Sequence, residues 1–204
     1  MVTSFIALEG IDGSGKTTQA ALLYEFLSNN GITSILTKEP GGTPLGLSIS
    51  EFIKSNNGTT ALAESLLFNA DRAEHVEKVI RPALSNGSHI ICDRFVGSTL
   101  AYQGYGRGIP LEKLVALCDE ACQGLYPTIN ILLDIPVHTL DSRRSADNRD
   151  AIEASGAPFL DRVRNGYLEL ANKNSCQWAI VDGSQSITKI SIEIQSLVTP
   201  YIYG

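Results

Sequence analysis

The chain has 204 residues, which is the length of one α/β domain and is enough to bury a sizeable hydrophobic core. Hydrophobic residues make up 43% and charged residues 19%, which excludes a disordered chain, and no apolar run approaches the ~18 residues that a membrane span needs. The formal net charge of −6 argues against a broad nucleic-acid-binding surface, which would be basic.

The N-terminal segment leads directly into the first predicted strand, residues 5–8, without the basic flank of a signal peptide. We therefore expect a cytoplasmic protein. None of the four cysteines forms a C-x-x-C pair, and we expect small buried thiols in a reducing compartment. Cys118 and Cys122 are spaced i,i+4 in a helical pattern, which leaves half of a metal site as the alternative.

Strand patterns and helical patterns alternate along the whole chain. Short apolar runs predict strands at residues 5–8, 32–37, 89–92, 129–133 and 178–181. Helices are predicted between them at residues 16–28, 62–84, 111–124, 136–144, 159–173 and 187–197. This alternation predicts an α/β fold in which a five-stranded parallel sheet is covered by helices. No long linker divides the chain, so we expect one domain over residues 1–204.

A phosphate-binding loop follows the first strand. Residues 10–17 read Gly-Ile-Asp-Gly-Ser-Gly-Lys-Thr, which is the Walker A pattern G-x-x-x-x-G-K-[ST]. The glycines let main-chain N–H groups point at phosphate oxygens, and the following helix adds the positive end of its dipole. Lys16 would reach the β- and γ-phosphates, and the Thr17 hydroxyl can bind Mg²⁺. The residues expected to hold ATP are Gly10, Ile11, Asp12, Gly13, Ser14, Gly15, Lys16, Thr17 and Thr18.

This loop does not by itself distinguish a kinase from an ATPase or a GTPase switch. A GTPase should also carry the guanine-reading pattern N-K-x-D. The nearest match, Asn-Lys-Asn-Ser at residues 172–175, lacks the aspartate and lies at the end of a predicted helix. The sequence therefore argues against a GTPase.

The third predicted strand ends in Asp93 and Arg94. Ligands of open α/β sheets bind beyond the carboxyl ends of the strands, so both residues should face the crevice that holds the phosphate loop. Asp93 stands where a carboxylate would help to hold Mg²⁺, often through water, and Arg94 can bind a second phosphate with its planar fork. The alternative is an Asp–Arg pair that only caps the strand.

Two further segments indicate a site for a nucleotide base. Phe68 and Arg72 form an i,i+4 pair about 100° from the centre of the apolar stripe on the predicted helix 62–84, and such a flank suits a base that stacks and hydrogen-bonds. A peripheral core phenylalanine with a surface arginine is the alternative. Residues 98–108 combine two tyrosines, a glutamine and three glycines, which is typical of a segment that approaches a ligand closely.

Together these motifs resemble the thymidylate kinase family of nucleoside-monophosphate kinases over nearly the whole chain. The matching stretches lie at residues 9–18, 39–43, 67–72, 93–95, 98–104 and 167–170. The segments Glu-Pro-Gly-Gly-Thr, at residues 39–43, and Ser-Thr-Leu-Ala-Tyr-Gln, at residues 98–103, are much more specific than the phosphate loop. The resemblance implies transfer of the γ-phosphate of ATP to dTMP, in a three-layer P-loop kinase fold with a short lid, and usually in a homodimer.

The resemblance also implies roles for single residues. Phe68 would stack on thymine, Arg72 would bond to the base, and Arg94 would hold the dTMP phosphate. Glu9 would lie between donor and acceptor, near the deoxyribose and the metal. The nucleoside pocket would be lined by Ser98, Tyr102 and Gln103, with Tyr102 placed where a 2′-hydroxyl would crowd it.

The lid is expected at about residues 142–157. The family brings an arginine to the transferred phosphate either from the phosphate loop, where this chain has Gly13, or from the lid, mostly in bacteria. The resemblance therefore implies the bacterial type, in which lid arginines act with Lys16 and Arg94. The lid candidates are Arg143 and Arg149 for catalysis and Arg144 for ATP.

The lid also carries acidic residues, so a solvated charged loop is its alternative interpretation. Lys38 and Ser50 stand where many relatives have arginine, and Ser50 leaves one contact to the acceptor phosphate without its usual residue. For the chain as a whole, two alternatives remain: a monophosphate kinase for a different base, and a nucleotide-binding switch without enzymatic activity.

Overall fold

The computed structural model describes residues 3–55, 58–140 and 156–203, and it contains the predicted parallel sheet. The strands are β1 (Phe5–Glu9), β2 (Ser34–Lys38), β3 (His89–Asp93), β4 (Ile129–Asp134) and β5 (Trp178–Asp182). All neighbours pair in parallel, in the order β2-β3-β1-β4-β5. The strand with the phosphate loop therefore lies at the centre of the sheet, beside the strand that ends in Asp93.

Helices cover both faces of the sheet. They are α1 (Lys16–Asn29), α2 (Pro44–Lys54), α3 (Ala61–His75), α4 (Arg81–Ser85), α5 (Val96–Thr99), α6 (Leu111–Cys122), α7 (Ala157–Lys173) and α8 (Ile187–Tyr203). Successive side chains of a strand point to opposite faces, and β1 shows the result. Ile6 and Leu8 pack with α1 and α8, whereas Phe5 and Ala7 pack with the segment that precedes α4. The predicted α/β fold with helices on both faces is confirmed.

The predicted helix 62–84 is present but is not uniform. It consists of α3, a π-helical turn at Val76–Ile80, and α4. The first half of its predicted apolar stripe does not face the core, because Leu62 and Leu66 are 56% and 47% exposed. The side chains that α3 buries instead are polar: Glu64, Ser65, Asn69, Asp71, Arg72 and His75.

Three segments differ from the predictions. Helix α2 was not predicted, although Thr43 caps it by accepting a hydrogen bond from the Gly46 amide and Pro44 opens its first turn. No helix was predicted in the segment expected to approach a ligand, residues 98–108, but α5 continues there into a π-helical turn at Leu100–Gly106. Of the predicted helix 136–144, the structure describes residues up to 140 and shows only a 3₁₀ turn at Val137–Thr139.

No helix among the described residues is both long and apolar enough to cross a bilayer. Within the same residues, no group of three or more His, Cys, Asp or Glu side chains is arranged to hold a metal ion. Cys118 and Cys122 are free, buried thiols on α6.

Candidate active site

The phosphate loop joins the end of β1 to the start of α1. Gly10, Gly13 and Gly15 have φ values of 142°, 83° and 97°, a region that side chains other than glycine rarely adopt. A Cβ atom at Gly10 would lie 2.6 Å from the Leu133 carbonyl oxygen. The loop borders a cavity of about 280 Å³, which is lined by Asp12, Gly13, Gly15, Lys16, Thr17, Thr18, Asp93 and Arg94.

Lys16 is buried at the floor of this cavity. Its Nζ donates to the Ile11 carbonyl at 2.9 Å and to Ser14 Oγ at 3.5 Å. Burial and the nearby Arg94 charge lower the pKa of Lys16 to about 8, against the opposing effect of Asp12, Asp93 and Glu9. Lys16 is thus a poorly solvated cation beside the cavity in which a phosphate would bind.

Thr17 and Asp93 meet at the edge of the same cavity. The Thr17 hydroxyl donates to Asp93 Oδ2, while Asp93 Oδ1 is buried and has no hydrogen-bond partner in the described part of the chain. A hydroxyl and a carboxylate with a spare oxygen are the hard ligands that Mg²⁺ prefers. The donor atoms at this edge therefore fit a magnesium ion.

Arg94 stands between two cavities in an unusual backbone conformation. Its φ is 73°, in the left-handed region that costs a non-glycine residue free energy and is most often seen at functional sites. Nη1 donates to the Gly10 carbonyl at 3.1 Å, to Ser98 Oγ at 3.0 Å and to the Tyr167 hydroxyl at 3.3 Å, and Nη2 pairs with Asp12 Oδ1. These contacts fix the guanidinium in one position.

Asp12 is held on its other side by Tyr102, whose hydroxyl donates to Asp12 Oδ2 at 2.8 Å. Burial alone would raise the pKa of Asp12, but the charges of Arg94 and Lys16 outweigh it and bring the pKa to about 2. The carboxylate is therefore ionised at any physiological pH.

Glu9 lies completely buried beneath these groups. It accepts hydrogen bonds from the Phe95 amide at 2.9 Å, from Ser98 Oγ at 2.6 Å and from the Tyr167 hydroxyl at 3.1 Å. Burial raises the pKa of Glu9 in spite of these donors and of the Arg94 charge. Glu9 thus supports Ser98 and, through the shared Ser98 and Tyr167 hydroxyls, Arg94.

A second cavity, of about 250 Å³, opens on the far side of Arg94. We refer to it as the acceptor cavity. Its lining comes from β2, α2, α3, the end of β3, and α5 with its π-helical continuation. The lining residues are Asp12, Lys38, Glu39, Pro40, Ser50, Ile53, Lys54, Phe68, Arg72, Asp93, Arg94, Phe95, Ser98, Thr99, Tyr102 and Gln103.

Arg72 is fixed by a dense network at one end of the acceptor cavity. Nε donates to Glu39 Oε2 at 2.9 Å and Nη2 to Thr99 Oγ1 at 3.0 Å, and Nη1 donates to Asn69 Oδ1 at 3.2 Å and Cys118 Sγ at 3.6 Å. Only 2% of Arg72 is exposed, so the alternative of a surface arginine is wrong. Phe68, one turn earlier on α3, is partly exposed and lines the cavity.

Comparison with known proteins places this site in a family. A family model described as thymidylate kinase matches residues 8–194. The thymidylate kinase of Synechococcus sp. (strain CC9605) is 46% identical over 203 residues, which cover 96% of this chain and 97% of the relative. That of Symbiobacterium thermophilum is 41% identical over 196 residues, with 95% and 92% covered.

The chain belongs to the thymidylate kinase family.

A crystal structure of thymidylate kinase from Ehrlichia chaffeensis has a TM-score of 0.79 and 36% identity to this chain, and the match covers 98% of this chain and 100% of that one. Family membership confirms the predicted P-loop kinase fold and the predicted activity, transfer of a phosphate from ATP to dTMP. It gives no support to a kinase for another base or to a switch without enzymatic activity.

Most of the residues that the family resemblance singled out are brought together. Phe68, Arg72, Arg94, Ser98, Tyr102 and Gln103 all line the acceptor cavity. Glu9 does not line it, and lies below its floor. Arg143, Arg144 and Arg149 lie outside the described residues, as does most of the expected lid, residues 142–157.

Sequence reasoning assigned no role to four residues that the structure places at the site. Glu39 and Tyr167 lie in the matching stretches 39–43 and 167–170, so a signal for them was present. Lys54 lines the acceptor cavity from α2, which was not predicted. Glu64 is buried behind Gln103, and nothing in the hydrophobic pattern pointed to it.

Proposed function

We propose that the two cavities hold the two substrates of the dTMP kinase reaction, with Arg94 at the point where they meet. The observation that supports this proposal is that Asp12, Asp93 and Arg94 line both cavities. The donor and acceptor phosphates would then approach each other across these three side chains. In-line transfer requires such an arrangement, because catalysis of phosphoryl transfer is mainly positioning and charge neutralisation.

On the donor side, the phosphate loop and the first turn of α1 would bind the ATP phosphates. Lys16 would leave the Ile11 carbonyl and turn towards the β- and γ-phosphates. Thr17 and Asp93 would hold a magnesium ion, which when bound neutralises charge on the phosphate oxygens. The unpartnered Oδ1 of Asp93 supports this assignment.

On the acceptor side, Arg94 would bind the phosphate of dTMP and Phe68 would stack on thymine. Arg72 and Gln103 would face the polar edge of the base. Tyr102 would stand against the 2′ position of the sugar, and Ser98 with Glu9 would support Arg94 from below. The acceptor phosphate is an anion near neutral pH, so it needs no general base.

Helix α2 would add charge to the acceptor side. Ser50 faces the acceptor cavity without a cation, but Lys54, one turn later on α2, also lines it, as does Lys38 at the end of β2. Neither lysine has an ion pair with another described residue. We propose that both attract the acceptor phosphate in place of an arginine at position 50.

The lid would complete the charge around the transferred phosphate. Gly13 offers no side chain, so Arg143 or Arg149 would supply the last cation, and Arg144 would lie against ATP. These roles rest on the family resemblance. We further propose that residues 1–204 form a single domain located in the cytoplasm, where the four free thiols suit a reducing compartment.

We also propose that the enzyme is a homodimer. Leu62 and Leu66 lie one turn apart on the outer face of α3, and Val115 is exposed on α6, which packs against α3. A row of exposed leucines on a long helix suits burial against another protein surface, and family members usually form homodimers.

Steady-state assays of ADP release test the acceptor assignment. Wild-type enzyme with ATP and Mg²⁺ should turn over dTMP much faster than dCMP, AMP or GMP. Arg94→Met should lower kcat/KM for dTMP by ~10²-fold or more, because the guanidinium is expected to hold charge in the transition state. The matched control is Arg162→Met, a residue of α7 that, among the described residues, bonds to the main-chain carbonyls of Gly106 and Pro158 and stacks on Phe159. Equal activity of the two variants would refute the role of Arg94.

A further inference from the structure

We propose that Glu64 makes this enzyme prefer thymine over cytosine, because it locks the side-chain amide of Gln103 in one orientation. The inference rests on the proposed function, in which Gln103 and Arg72 face the base. Glu64 does not line the acceptor cavity, so it would be a positioning residue that acts through Gln103.

The contact between Gln103 and Glu64 has a fixed polarity. Gln103 Nε2 donates to Glu64 Oε1 at 2.9 Å, and the two residues are only 2% and 5% exposed. A carboxylate offers acceptors and no donor, so the nitrogen of the amide must face Glu64 and the oxygen must point away from it. No described residue donates a hydrogen bond to Gln103 Oε1, and the side chain lines the acceptor cavity. The cavity therefore receives the acceptor end of the amide.

Glu64 is itself held in position. It lies in the first turn of α3, and its Oε2 accepts from Arg107 Nη2 at 3.5 Å. The Arg107 guanidinium lies over the Phe159 ring, 5.1 Å from its centroid, so a packed aromatic fixes the cation in turn. The orientation of Gln103 is thus set by a chain of contacts behind the cavity wall.

Arg72 presents hydrogen-bond donors at the same end of the acceptor cavity, whereas Gln103 presents an acceptor. A guanidinium has five N–H donors and no acceptor. Glu39, Asn69, Cys118 and Thr99 each accept from this guanidinium, and Nη2 also lies 2.9 Å from Glu39 Oε2. Because Arg72 has no acceptor atom, any hydrogen bond that it shares with the base must be one that it donates. The base would meet one donor, from Arg72, and one acceptor, from Gln103.

Thymine and cytosine present opposite patterns to such a pair. Thymine offers an acceptor at O4 and a donor at N3–H, which match Arg72 and Gln103 Oε1. Cytosine offers an amine at C4 and an acceptor at N3, so both contacts would be repulsive. A glutamine that was free to turn could present its nitrogen to N3 of cytosine. Glu64 prevents that rotation, and rejection of cytosine would therefore depend on a buried acid outside the substrate contacts.

The test is the isosteric variant Glu64→Gln, whose amide can donate to as well as accept from Gln103. We expect the ratio of kcat/KM for dTMP to kcat/KM for dCMP to fall at least ~10-fold, while the KM for ATP stays within twofold. The ratio for dTMP against dUMP should not change, because uracil presents the same O4 and N3–H. The control is Glu77→Gln, an exposed residue whose partner is Arg81.

A second variant keeps the proposal falsifiable if Glu64→Gln is unstable. In the exchange Glu64→Gln with Gln103→Glu, the amide donates from position 64 and a carboxylate presents an acceptor to the cavity. This variant should restore the dTMP preference to within about threefold of wild type. A folded Glu64→Gln variant with an unchanged dTMP-to-dCMP ratio, or an exchange variant that does not recover it, would overturn the inference.

Failure of the underlying base site gives a different result. If Gln103→Met leaves the KM for dTMP unchanged, then Gln103 does not face the base, and the acceptor assignment is wrong before Glu64 is considered. If Gln103→Met raises this KM while Glu64→Gln leaves the ratio of dTMP to dCMP unchanged, only the role of Glu64 is refuted.

Discussion

The chemistry of the site depends on a few side chains whose surroundings change their properties. Arg94 has a left-handed backbone conformation, and contacts to Asp12, Ser98 and Tyr167 hold its guanidinium. Its guanidinium needs little reorganisation when a phosphate arrives, because those contacts already fix its direction. Preorganisation of this kind is the main means by which enzymes stabilise charge in a transition state.

Tyr167→Phe tests this support. The Tyr167 hydroxyl bonds to Glu9, Ser98 and Arg94, so its removal leaves buried polar groups with fewer partners. Such a loss costs about 1 kcal/mol, and kcat/KM for dTMP should fall roughly fivefold to tenfold while the KM for ATP is unchanged. Tyr105→Phe is the control, because that hydroxyl bonds to the exposed Glu169. An unchanged kcat/KM in Tyr167→Phe would mean that Arg94 needs no support from α7.

The lowered pKa of Lys16 predicts that the enzyme takes up protons when ATP binds. Its pKa of about 8 in the free enzyme leaves it about half protonated at pH 8, and the triphosphate charge should raise that pKa. Binding at pH 8 should therefore take up about half a proton, and binding at pH 6.5 almost none from this group. Calorimetry in Tris and in HEPES, whose ionisation enthalpies differ, measures the uptake. Equal binding enthalpies in both buffers at pH 8 would contradict the lowered pKa.

Helix α2 is expected to contribute positive charge to the acceptor cavity through Lys54. Lys54→Met should raise the KM for dTMP about two- to fivefold, the range for an exposed charge interaction. Inhibition by thymidine, which carries no phosphate, should be unaffected. Lys113→Met on α6 is the control, because that lysine does not line the cavity. Equal weakening of thymidine and dTMP would show that Lys54 acts on the nucleoside instead.

The strands and the phosphate loop were predictable because their signals are local. Strands buried on both faces read as short apolar runs, and β1, β3 and β4 are of this kind. The loop has a fixed residue spacing that follows from phosphate geometry. Asp93 and Arg94 could be placed beside the phosphate loop from the end of the third strand alone.

What could not be predicted was the burial of polar side chains. Hydrophobic periodicity assigned Leu62 and Leu66 of α3 to the core, whereas the helix buries Glu64 and Arg72 instead. Those side chains are satisfied by partners distant in sequence, such as Glu39 and Gln103, which no pattern within the helix reveals. The glycines of segment 98–108 were interpreted as a sign of close approach to a ligand. The structure uses Gly104 and Gly106 for close packing, since a Cβ there would meet Leu111 at 2.5 Å and Phe159 at 2.7 Å.

The exposed leucines of α3 lead to a prediction about the oligomeric state of the enzyme. Leu66→Glu should convert a dimer into a monomer in size-exclusion chromatography with light scattering, because a charge would be buried in an apolar contact. Ile192→Glu on α8 is the control, since this residue is 61% exposed and lies on the helix that covers the opposite face of the sheet. A wild-type monomer at micromolar concentration would contradict the proposed homodimer.

The hydrogen bond between Glu9 and Tyr167 joins positions 158 residues apart, and Arg94, directly after β3, donates to the same Tyr167 hydroxyl. The acceptor site therefore cannot exist in a chain in which the central strand, β3 and α7 have not yet docked. Contacts between residues so far apart in sequence form slowly and late in folding, because closing a long loop costs conformational entropy. Bound dTMP should consequently stabilise the whole domain, by about 2.7 kcal/mol at one hundred times its Kd. Amide hydrogen exchange in β1, β3 and α7 should slow together, so the substrate would act as a folding ligand as well as a reactant.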